Sequence, residues 1–253
     1  METIQLDIAV LSEIGGRTEN QDACGHWADG GTSYFVLCDG AGGHLGGSVA
    51  SKLAVAEALA CLREARACTP KAIEDAMRCA NDALVREQKA QAQYSQMRAT
   101  IVALALDVDR GVASWGHLGD SRLYCFRENR IVAQTRDHSV VQSLVDAGYL
   151  QPQQLRTSPE RSKLLSALGD AEQFDPAIER ESFTIARGDA FLLCSDGLWE
   201  YVHENEMEQA LAESGSPETW LKALERHVLA RGKRKHDNYS AVAVWCGERP
   251  KAS

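Results

Sequence analysis

The sequence predicts an α+β protein in which antiparallel sheets are covered by helices. Strand-like apolar runs follow one another along the chain and helical patterns come in pairs, whereas a parallel doubly wound sheet would alternate strand and helix strictly. The chain has 253 residues, 44% of them hydrophobic and 25% charged, which suffices to bury a large core. Because no low-complexity linker or repeat divides it, we expect a single domain over residues 1–253.

The first half of the chain is predicted to hold two strands, a helix pair and a group of further strands. The apolar runs Ile4–Val10 and Tyr34–Cys38 are typical of strands, and the apolar residues of 49–60 have helical spacing. Thr69-Pro70 supplies an N-cap and first turn for a second helix, whose apolar stripe runs from Ile73 to Leu84. The strands that follow are Ile101–Leu106, Val112–His117, Arg122–Phe126 and, after the turn residues Glu128-Asn129, Ile131–Ala133.

The second half begins with a short helix around Val141–Val145. Next comes the stretch Gly148–Arg180, whose polarity and prolines indicate loops. The compact apolar run Ala190–Cys194 indicates a buried strand. Two helical patterns and a strand complete the chain. They are Met207–Leu211, a helix that starts at Ser216-Pro217 and stops near Gly232, and the alternating run Tyr239–Trp245.

Charge and targeting signals narrow the function classes. A net charge of −9 disfavours general binding to nucleic acid or to anionic membranes. The chain contains no run of 18 apolar residues, and Met1–Val10 lacks the basic start of a secretory signal, so we expect a cytoplasmic protein that does not insert into membranes. None of the eight cysteines forms a Cys-x-x-Cys pair, which favours reduced, mostly buried thiols over a zinc site.

Two apolar strands end in the same way. Tyr34–Gly40 and Ala190–Gly197 each finish in Asp-Gly, which places Asp39 and Asp196 at strand tips. A carboxylate on a rigid strand end is well placed to hold a metal, and a following glycine lets the backbone come close. Either copy alone is also compatible with an ordinary Asp-Gly turn.

Further aspartates occupy similar junctions, namely Asp22, Asp120 and Asp237. With few histidine or cysteine candidates nearby, these carboxylates indicate oxygen-only coordination of Mg²⁺ or Mn²⁺. Carboxylates that converge without a cation repel one another, so their clustering would itself require a metal.

Six motifs resemble those of the metal-dependent protein serine/threonine phosphatases of the PPM type, also called type 2C, in the compact bacterial form. They occur in the family's order, and the resemblance extends over about residues 8 to 246. The motifs are Gly16–Asp22, Cys38–His44, Gly119–Tyr124, Asp137–Ser139, Ser195–Glu200 and Asp237–Ser240. The resemblance implies a four-layer αββα sandwich, with two central antiparallel sheets between helix pairs. It also implies a flap segment, residues 139–180, beside the active site.

The resemblance also implies a role for each acidic residue. Asp39 would bridge two metal ions, Mn²⁺ or Mg²⁺, and the Gly40 carbonyl would bind one of them. Asp196 and Asp237 would bind the other ion, and Asp22 would hold a metal-bound water. Asp120, with Asp196, would match a third, weaker metal site. Two metals can neutralise a phosphomonoester and activate a water molecule for in-line attack on phosphorus.

Basic residues near these motifs suggest phosphate contacts. The resemblance implies that Arg17 grips the substrate phosphate, which its planar fork suits. The general acid stays open between His44 and a metal-bound water, and His138 is expected to support its loop. In the flap segment, Arg156, Arg161 and Lys163 could meet an acidic phosphopeptide, or be solvated charges. The basic run Arg231–His236 could attract an acidic partner, or form a basic helix end.

The function that follows is hydrolysis of phosphoserine and phosphothreonine in proteins. The expected partners are phosphorylated proteins and, in a bacterium, the opposing Ser/Thr kinase or its substrates, with control of a secretion system as a further hypothesis. We expect a monomer. Two alternatives remain, a catalytically silent member that binds a partner and a phosphatase of an anti-sigma antagonist. The complete aspartate set disfavours the first.

Overall fold

The computed structural model describes residues 4–42, 46–232 and 236–247. The strands are β1 (Leu6–Glu13), β2 (Asp22–Asp29), β3 (Thr32–Ala41), β4 (Arg98–Ala99), β5 (Ile101–Asp107), β6 (Val112–Leu118), β7 (Arg122–Arg127), β8 (Arg130–Gln134), β9 (Ala177–Ile178), β10 (Phe183–Thr184), β11 (Ala190–Cys194) and β12 (Tyr239–Cys246). The helices are α1 (Gly47–Ala65), α2 (Pro70–Ala90), α3 (Val140–Asp146), α4 (Asp196–Trp199), α5 (Glu204–Glu213) and α6 (Pro217–Arg231).

The strands form two antiparallel sheets. In the first sheet the order is β1-β12-β11-β7-β8, and in the second it is β10-β6-β5-β3-β2. The short strands β4 and β9 pair with β3 and β6 at the margins of the second sheet. Both sheets are therefore assembled from strands far apart in sequence, so that residues from both ends of the chain meet.

Three apolar clusters show how the layers stack. One lies between α1, α2 and the second sheet, and another lies between the first sheet and α4, α5 and α6. The third fills the space between the two sheets. This is the predicted αββα sandwich, and the α+β prediction is confirmed.

Strand β3 illustrates why this sequence builds a central strand. Tyr34, Val36 and Cys38 face the helix pair, whereas Phe35 and Leu37 face the other sheet. Since side chains alternate along a strand, burial on both faces requires a continuous apolar run, which is the pattern in the sequence. The Asp-Gly that ends this run then lies where the two sheets reach the edge of the sandwich.

Most of the predicted elements are found within a few residues of their expected ends, but strand β2 was missed. Its sequence from Asp22 to Asp29 mixes charged, small and aromatic residues without an apolar run. It forms because the whole strand pairs in register with β3, from Asp22 opposite Asp39 to Asp29 opposite Thr32. Tertiary pairing thus overrides weak local propensity.

The remaining predictions concern loops and thiols. The flap segment contains α3, a 3-10 turn at Pro152–Gln154 and β9, and is otherwise irregular. All eight cysteines are free thiols, and Cys38, Cys68, Cys125, Cys194 and Cys246 are buried. None of the helices in the described ranges is both long and apolar enough to cross a membrane.

Candidate active site

A cleft of about 400 Å³ lies at one end of the sandwich and brings together residues from both sheets. Most of the site residues suggested by sequence line it, namely Arg17, Asp39, Gly40, Asp120, Asp196 and Asp237. Asp22 lies next to the cleft as the cross-strand partner of Asp39, and it is 5% exposed. The structure therefore collects the whole predicted set in one region.

Asp39 is held at the end of β3 by the neighbouring strand. Its backbone N–H donates to Thr100 Oγ1 at 3.0 Å, and its carbonyl accepts from the Thr100 N–H at 2.8 Å. The next residue, Gly40, packs so closely against the start of α1 that a Cβ there would lie 2.0 Å from the Gly47 carbonyl oxygen. Only glycine permits this approach, which explains the residue type after Asp39.

A second close approach joins Asp196 to the strand that follows Asp237. A Cβ on Gly197 would lie 1.9 Å from the Asn238 carbonyl oxygen, so glycine lets the first turn of α4 rest against β12. The Ser195 N–H donates to the Ser240 carbonyl at 3.0 Å and fixes the same contact. Asp196 and Asp237 consequently both border the cleft at the edge of the first sheet.

Asp22 is tied across the two sheets by serine hydroxyls. Ser195 Oγ donates to Asp22 Oδ2 at 2.7 Å and accepts from the Ser240 N–H at 3.0 Å. Because Ser195 and Ser240 are fully buried, this chain of hydrogen bonds fixes the carboxylate in one orientation.

Asp120 is held in the turn between β6 and β7. Trp199 Nε1 donates to the Asp120 carbonyl at 2.9 Å, and the adjacent Ser121 hydroxyl lies 2.7 Å from Thr100 Oγ1. Thr100 therefore contacts both the Asp39 backbone and the Asp120 turn, and links the two carboxylate positions.

Burial and mutual repulsion raise the pKa of several carboxyl groups. Desolvation, followed by repulsion from Asp22, Asp196, Asp120 and Asp237, raises the pKa of Asp39 well above its usual range. The pKa of Asp196 is also raised well above its usual range, first by desolvation and then by repulsion from Asp120 and other acids. Desolvation also raises the pKa of Asp120 to about 7 and that of Asp22 to about 6. Clustered acids of this kind are stable as anions only if a cation compensates them.

The donor set fits a hard divalent cation. Within the described part of the chain, Asp22 Oδ1 and Asp196 Oδ1 are buried oxygens that accept no hydrogen bond. Buried carboxylate oxygens without a donor are costly, and oxygen ligands suit Mg²⁺ or Mn²⁺. Over the same residues, no three His, Cys, Asp or Glu side chains already form a finished cage. The carboxylates line an open cleft, and one of them is engaged by Arg17.

Arg17 lies on the loop between β1 and β2, at the mouth of the cleft. Its Nη2 donates to Asp237 Oδ2 at 2.5 Å, and both side chains are substantially exposed. Asn238 positions this loop, because its Nδ2 donates to the carbonyls of Ile14 and Glu19 at 2.8 and 2.9 Å. Arg17 is thus a cation at the edge of the cleft, and its hydrogen-bond partner among the described residues is the half-exposed carboxylate of Asp237.

The other basic and histidine candidates have mixed outcomes. In the flap segment, Arg156 and Arg161 bind Glu204 and Glu200, so neither is a solvated charge, and Lys163 pairs with the exposed Glu160. The His138 ring stacks on His117 at 4.7 Å and accepts from the Gly119 N–H, which agrees with a supporting role. Arg231 pairs with Glu206 and with the Tyr201 carbonyl. His44 and Lys233–Lys235 lie outside the described residues.

Several residues of the cleft were not singled out from the sequence. They are Gln21, Thr100, Ser162, Leu164 and Asn238. Gln21 and Asn238 lie inside two of the motifs, so the resemblance could have identified them as candidate site residues. Thr100, Ser162 and Leu164 had none, because their place in the cleft depends on how β4, β5 and the flap segment fold against the sheets.

Comparison with known proteins gives consistent matches. The sequence profile of the family described as protein phosphatase 2C matches residues 12–229. The curated serine/threonine protein phosphatase PstP of Mycobacterium tuberculosis is 33% identical over 213 residues, which are 83% of this chain and 39% of that protein. The chain therefore spans about two fifths of the length of this relative.

Two solved structures share the fold over nearly the whole chain. One is the catalytic domain of the serine/threonine protein phosphatase PstP in complex with two manganese ions, with a TM-score of 0.82 and 27% identity, covering 97% of this chain and 100% of that one. The other is PppA, a key regulatory component of T6SS in Pseudomonas aeruginosa, with a TM-score of 0.77 and 30% identity, covering 96% and 99%.

Proposed function

The chain belongs to the protein phosphatase 2C family, and from this membership we propose that it hydrolyses phosphoserine and phosphothreonine in proteins. The observation that carries the proposal is the convergence of carboxylates from both sheets on one cleft, with Arg17 at its mouth. An acidic cleft repels a phosphate dianion unless cations occupy it, so the same residues imply a metal-dependent reaction.

We propose that Asp39, Gly40, Asp196 and Asp237 hold two Mn²⁺ or Mg²⁺ ions. Asp22 would act through a water molecule, and Asp120 with Asp196 would hold a third, weaker ion. Bound ions would supply charge neutralisation at the phosphate and a water nucleophile activated near neutral pH. The PstP catalytic domain, which has the same fold, is in complex with two manganese ions, and this supports the choice of metal.

Arg17 is proposed to bind and orient the phosphate. An exposed Arg–Asp pair contributes little to stability, so its guanidinium can exchange Asp237 Oδ2 for phosphate oxygens at small cost. Two parallel hydrogen bonds from the planar fork would hold the phosphoryl group in line for attack. Asn238 serves this step indirectly, because it fixes the loop that carries Arg17.

The proposed setting is bacterial signalling in the cytoplasm. Residues 1–253 would act as one monomeric phosphatase domain that opposes a Ser/Thr kinase and acts on phosphorylated proteins. Control of a secretion system is a narrower hypothesis, and the similarity to PppA of the Pseudomonas aeruginosa T6SS supports it. Deletion of the gene should then raise phosphothreonine occupancy on kinase substrates, and an unchanged phosphoproteome would remove this part of the proposal.

Hydrolysis of p-nitrophenyl phosphate and of a phosphothreonine peptide tests the activity. We expect turnover with Mn²⁺ or Mg²⁺ and none with EDTA, and loss of turnover in Asp39→Asn and Asp196→Asn. Asp75→Asn, on the exposed side of α2 and paired with Lys71, is the matched control and should keep wild-type rates.

The outcomes separate the alternatives. If folded wild-type protein binds Mn²⁺ but hydrolyses neither substrate, the catalytically silent, partner-binding alternative replaces the proposal. If it hydrolyses only a phosphorylated anti-sigma antagonist, the alternative of an anti-sigma antagonist phosphatase is correct. Turnover that persists in Asp39→Asn would refute the assigned metal ligands while leaving the phosphatase activity in place.

A further inference from the structure

Arg156, in the flap segment, points into the protein. Its side chain is only 15% exposed and makes three directed hydrogen bonds. Nε donates to the Trp199 carbonyl at 2.9 Å, and Nη2 donates to the Val202 carbonyl at 3.3 Å and to Glu204 Oε1 at 2.9 Å. Carbonyls at the end of a helix lack intrahelical partners, so this guanidinium caps the end of α4 from another part of the chain.

Trp199 connects this contact to the cleft. Its carbonyl accepts from Arg156, and its indole Nε1 donates to the Asp120 carbonyl at 2.9 Å. The Arg122 guanidinium lies 3.5 Å from the centre of the Trp199 ring, which holds the indole in place. The residue that receives the flap segment therefore also fixes the turn that bears Asp120.

The flap segment supplies one wall of the cleft through Ser162 and Leu164. Its C-terminal part is fastened by backbone hydrogen bonds. The Val140 N–H donates to the Lys163 carbonyl at 2.9 Å, the Leu165 N–H donates to the His138 carbonyl at 2.8 Å, and Leu168 and Ala99 exchange N–H and carbonyl groups at 2.7 and 3.3 Å. By contrast, the backbone hydrogen bonds shown for residues 149–161 stay within the flap segment. Side chains of Arg156 and Arg161 fasten this near part to the rest of the protein, and Arg161 is the more exposed of the two.

We propose that Arg156 is a positioning residue that docks residues 149–161 of the flap segment onto the end of α4. Together with the backbone hydrogen bonds at Lys163 and Leu165, this docking sets the wall formed by Ser162 and Leu164. The docking itself does not depend on the reaction, whereas its effect on substrates rests on the proposed phosphatase activity. A phosphopeptide extends beyond its phosphate and contacts the wall, but a small aryl phosphate reaches little more than the floor of the cleft. Arg156 should therefore affect peptide binding selectively.

Hydrogen exchange of the full chain tests the docking. In Arg156→Met we expect the amides of Thr157, Ser158, Arg161 and Lys163 to exchange about tenfold faster, because local opening becomes easier. The Leu168 amide, at the backbone-fastened end, should be unchanged. Arg130→Met is the matched control, since it removes an exposed arginine that contacts Glu208 at 2.7 Å. Unchanged exchange at 157–163 in folded Arg156→Met would overturn the proposal.

Steady-state kinetics then separate positioning from general destabilisation. For a phosphothreonine peptide, we expect Arg156→Met to raise KM about fivefold with kcat within about twofold, and to leave p-nitrophenyl phosphate hydrolysis unchanged. Arg156→Lys keeps the charge beside Glu204 but not all three bonds, so its KM should fall in between. An equal loss of kcat for both substrates with a lowered Tm would show a merely structural role and overturn the proposal. If the wild type hydrolyses neither substrate, the proposed function fails, and the exchange experiment still decides the docking.

Discussion

Two arginine–aspartate pairs near the cleft share their chemistry and differ in their surroundings. Arg122 and Asp137 are each 3% exposed and form two parallel hydrogen bonds of 2.7 and 2.8 Å. Arg17 and Asp237 are 54% and 42% exposed and share one contact of 2.5 Å. The buried pair is also enclosed by Trp199 and Tyr124, whereas the exposed pair borders the open cleft.

This difference indicates how one protein uses the same ion pair for two purposes. A buried, bidentate pair cannot be opened without stranding a charge, so it belongs to the scaffold behind Asp120. An exposed, single contact contributes little to folding and can be exchanged for a ligand. The four predictions below test the contrast, beginning with the largest expected effect.

Removing the buried arginine should damage the fold. Arg122→Met leaves Asp137 as an uncompensated buried charge, and we expect the free energy of unfolding to fall by about 3–5 kcal/mol. Urea unfolding followed by circular dichroism measures this loss. The exposed-pair variant Arg130→Met should change it by less than about 1 kcal/mol. Equal effects of the two variants would abolish the distinction between scaffold and surface pairs.

The carboxylate beside the buried pair should make stability depend on pH. Burial, then repulsion from Asp137, raises the pKa of Asp120 to about 7. The folded state thus holds this proton more tightly than the unfolded state, so its stabilising effect is full below the ordinary pKa of 3.8 and is lost as the pH rises through about 7. In EDTA, urea unfolding should show stability falling by a few kcal/mol over that window. Because burial also raises the pKa values of Asp22, Asp39 and Asp196, Asp120→Asn should remove only its own share of the slope, and an unchanged slope would contradict the assignment.

Removing the exposed arginine should damage activity and spare the fold. For Arg17→Ala we expect kcat/KM for the phosphothreonine peptide to fall about 10²–10³-fold, because a charge-assisted phosphate contact is lost. Its free energy of unfolding should change by less than about 1 kcal/mol. Arg17→Lys should recover part of the rate, since it keeps the charge and loses the fork. A stability loss as large as that of Arg122→Met would show that Arg17 is part of the scaffold.

The smallest effect concerns the hydroxyl that joins the two sheets. Ser195→Ala deprives Asp22 Oδ2 of a donor and the Ser240 N–H of an acceptor, which should lower the free energy of unfolding by about 1–3 kcal/mol. Calorimetry should also show weaker Mn²⁺ binding, because Asp22 is no longer held in one orientation. The exposed Ser12, which accepts from Ser240 Oγ, supplies the matched variant Ser12→Ala, for which little change is expected.

Many of the strands and helices could be predicted from the pattern of apolar, proline and capping residues in the local sequence. The double-sided apolar run of β3 and the proline-led start of α2 are decided by nearby residues, and the structure confirms both elements. Strand β2 could not be predicted, because its sequence has no strand pattern and the strand forms only through pairing with β3. The same limit applied to Arg156, whose charge in a polar loop gave no sign that it turns inward to the end of α4.

The sequence by itself determined that aspartates stand at strand ends, that glycines follow two of them, and that the ordered motifs resemble one phosphatase family. These features depend on residue type and short spacing, which the chain carries locally. Only the tertiary structure decided that Asp22 faces Asp39 and that Arg17 contacts Asp237. It also decided that Arg122 lies buried against Asp137 and Trp199. Such contacts depend on strand register and on the packing of the two sheets, and those arise from interactions between residues far apart in the chain.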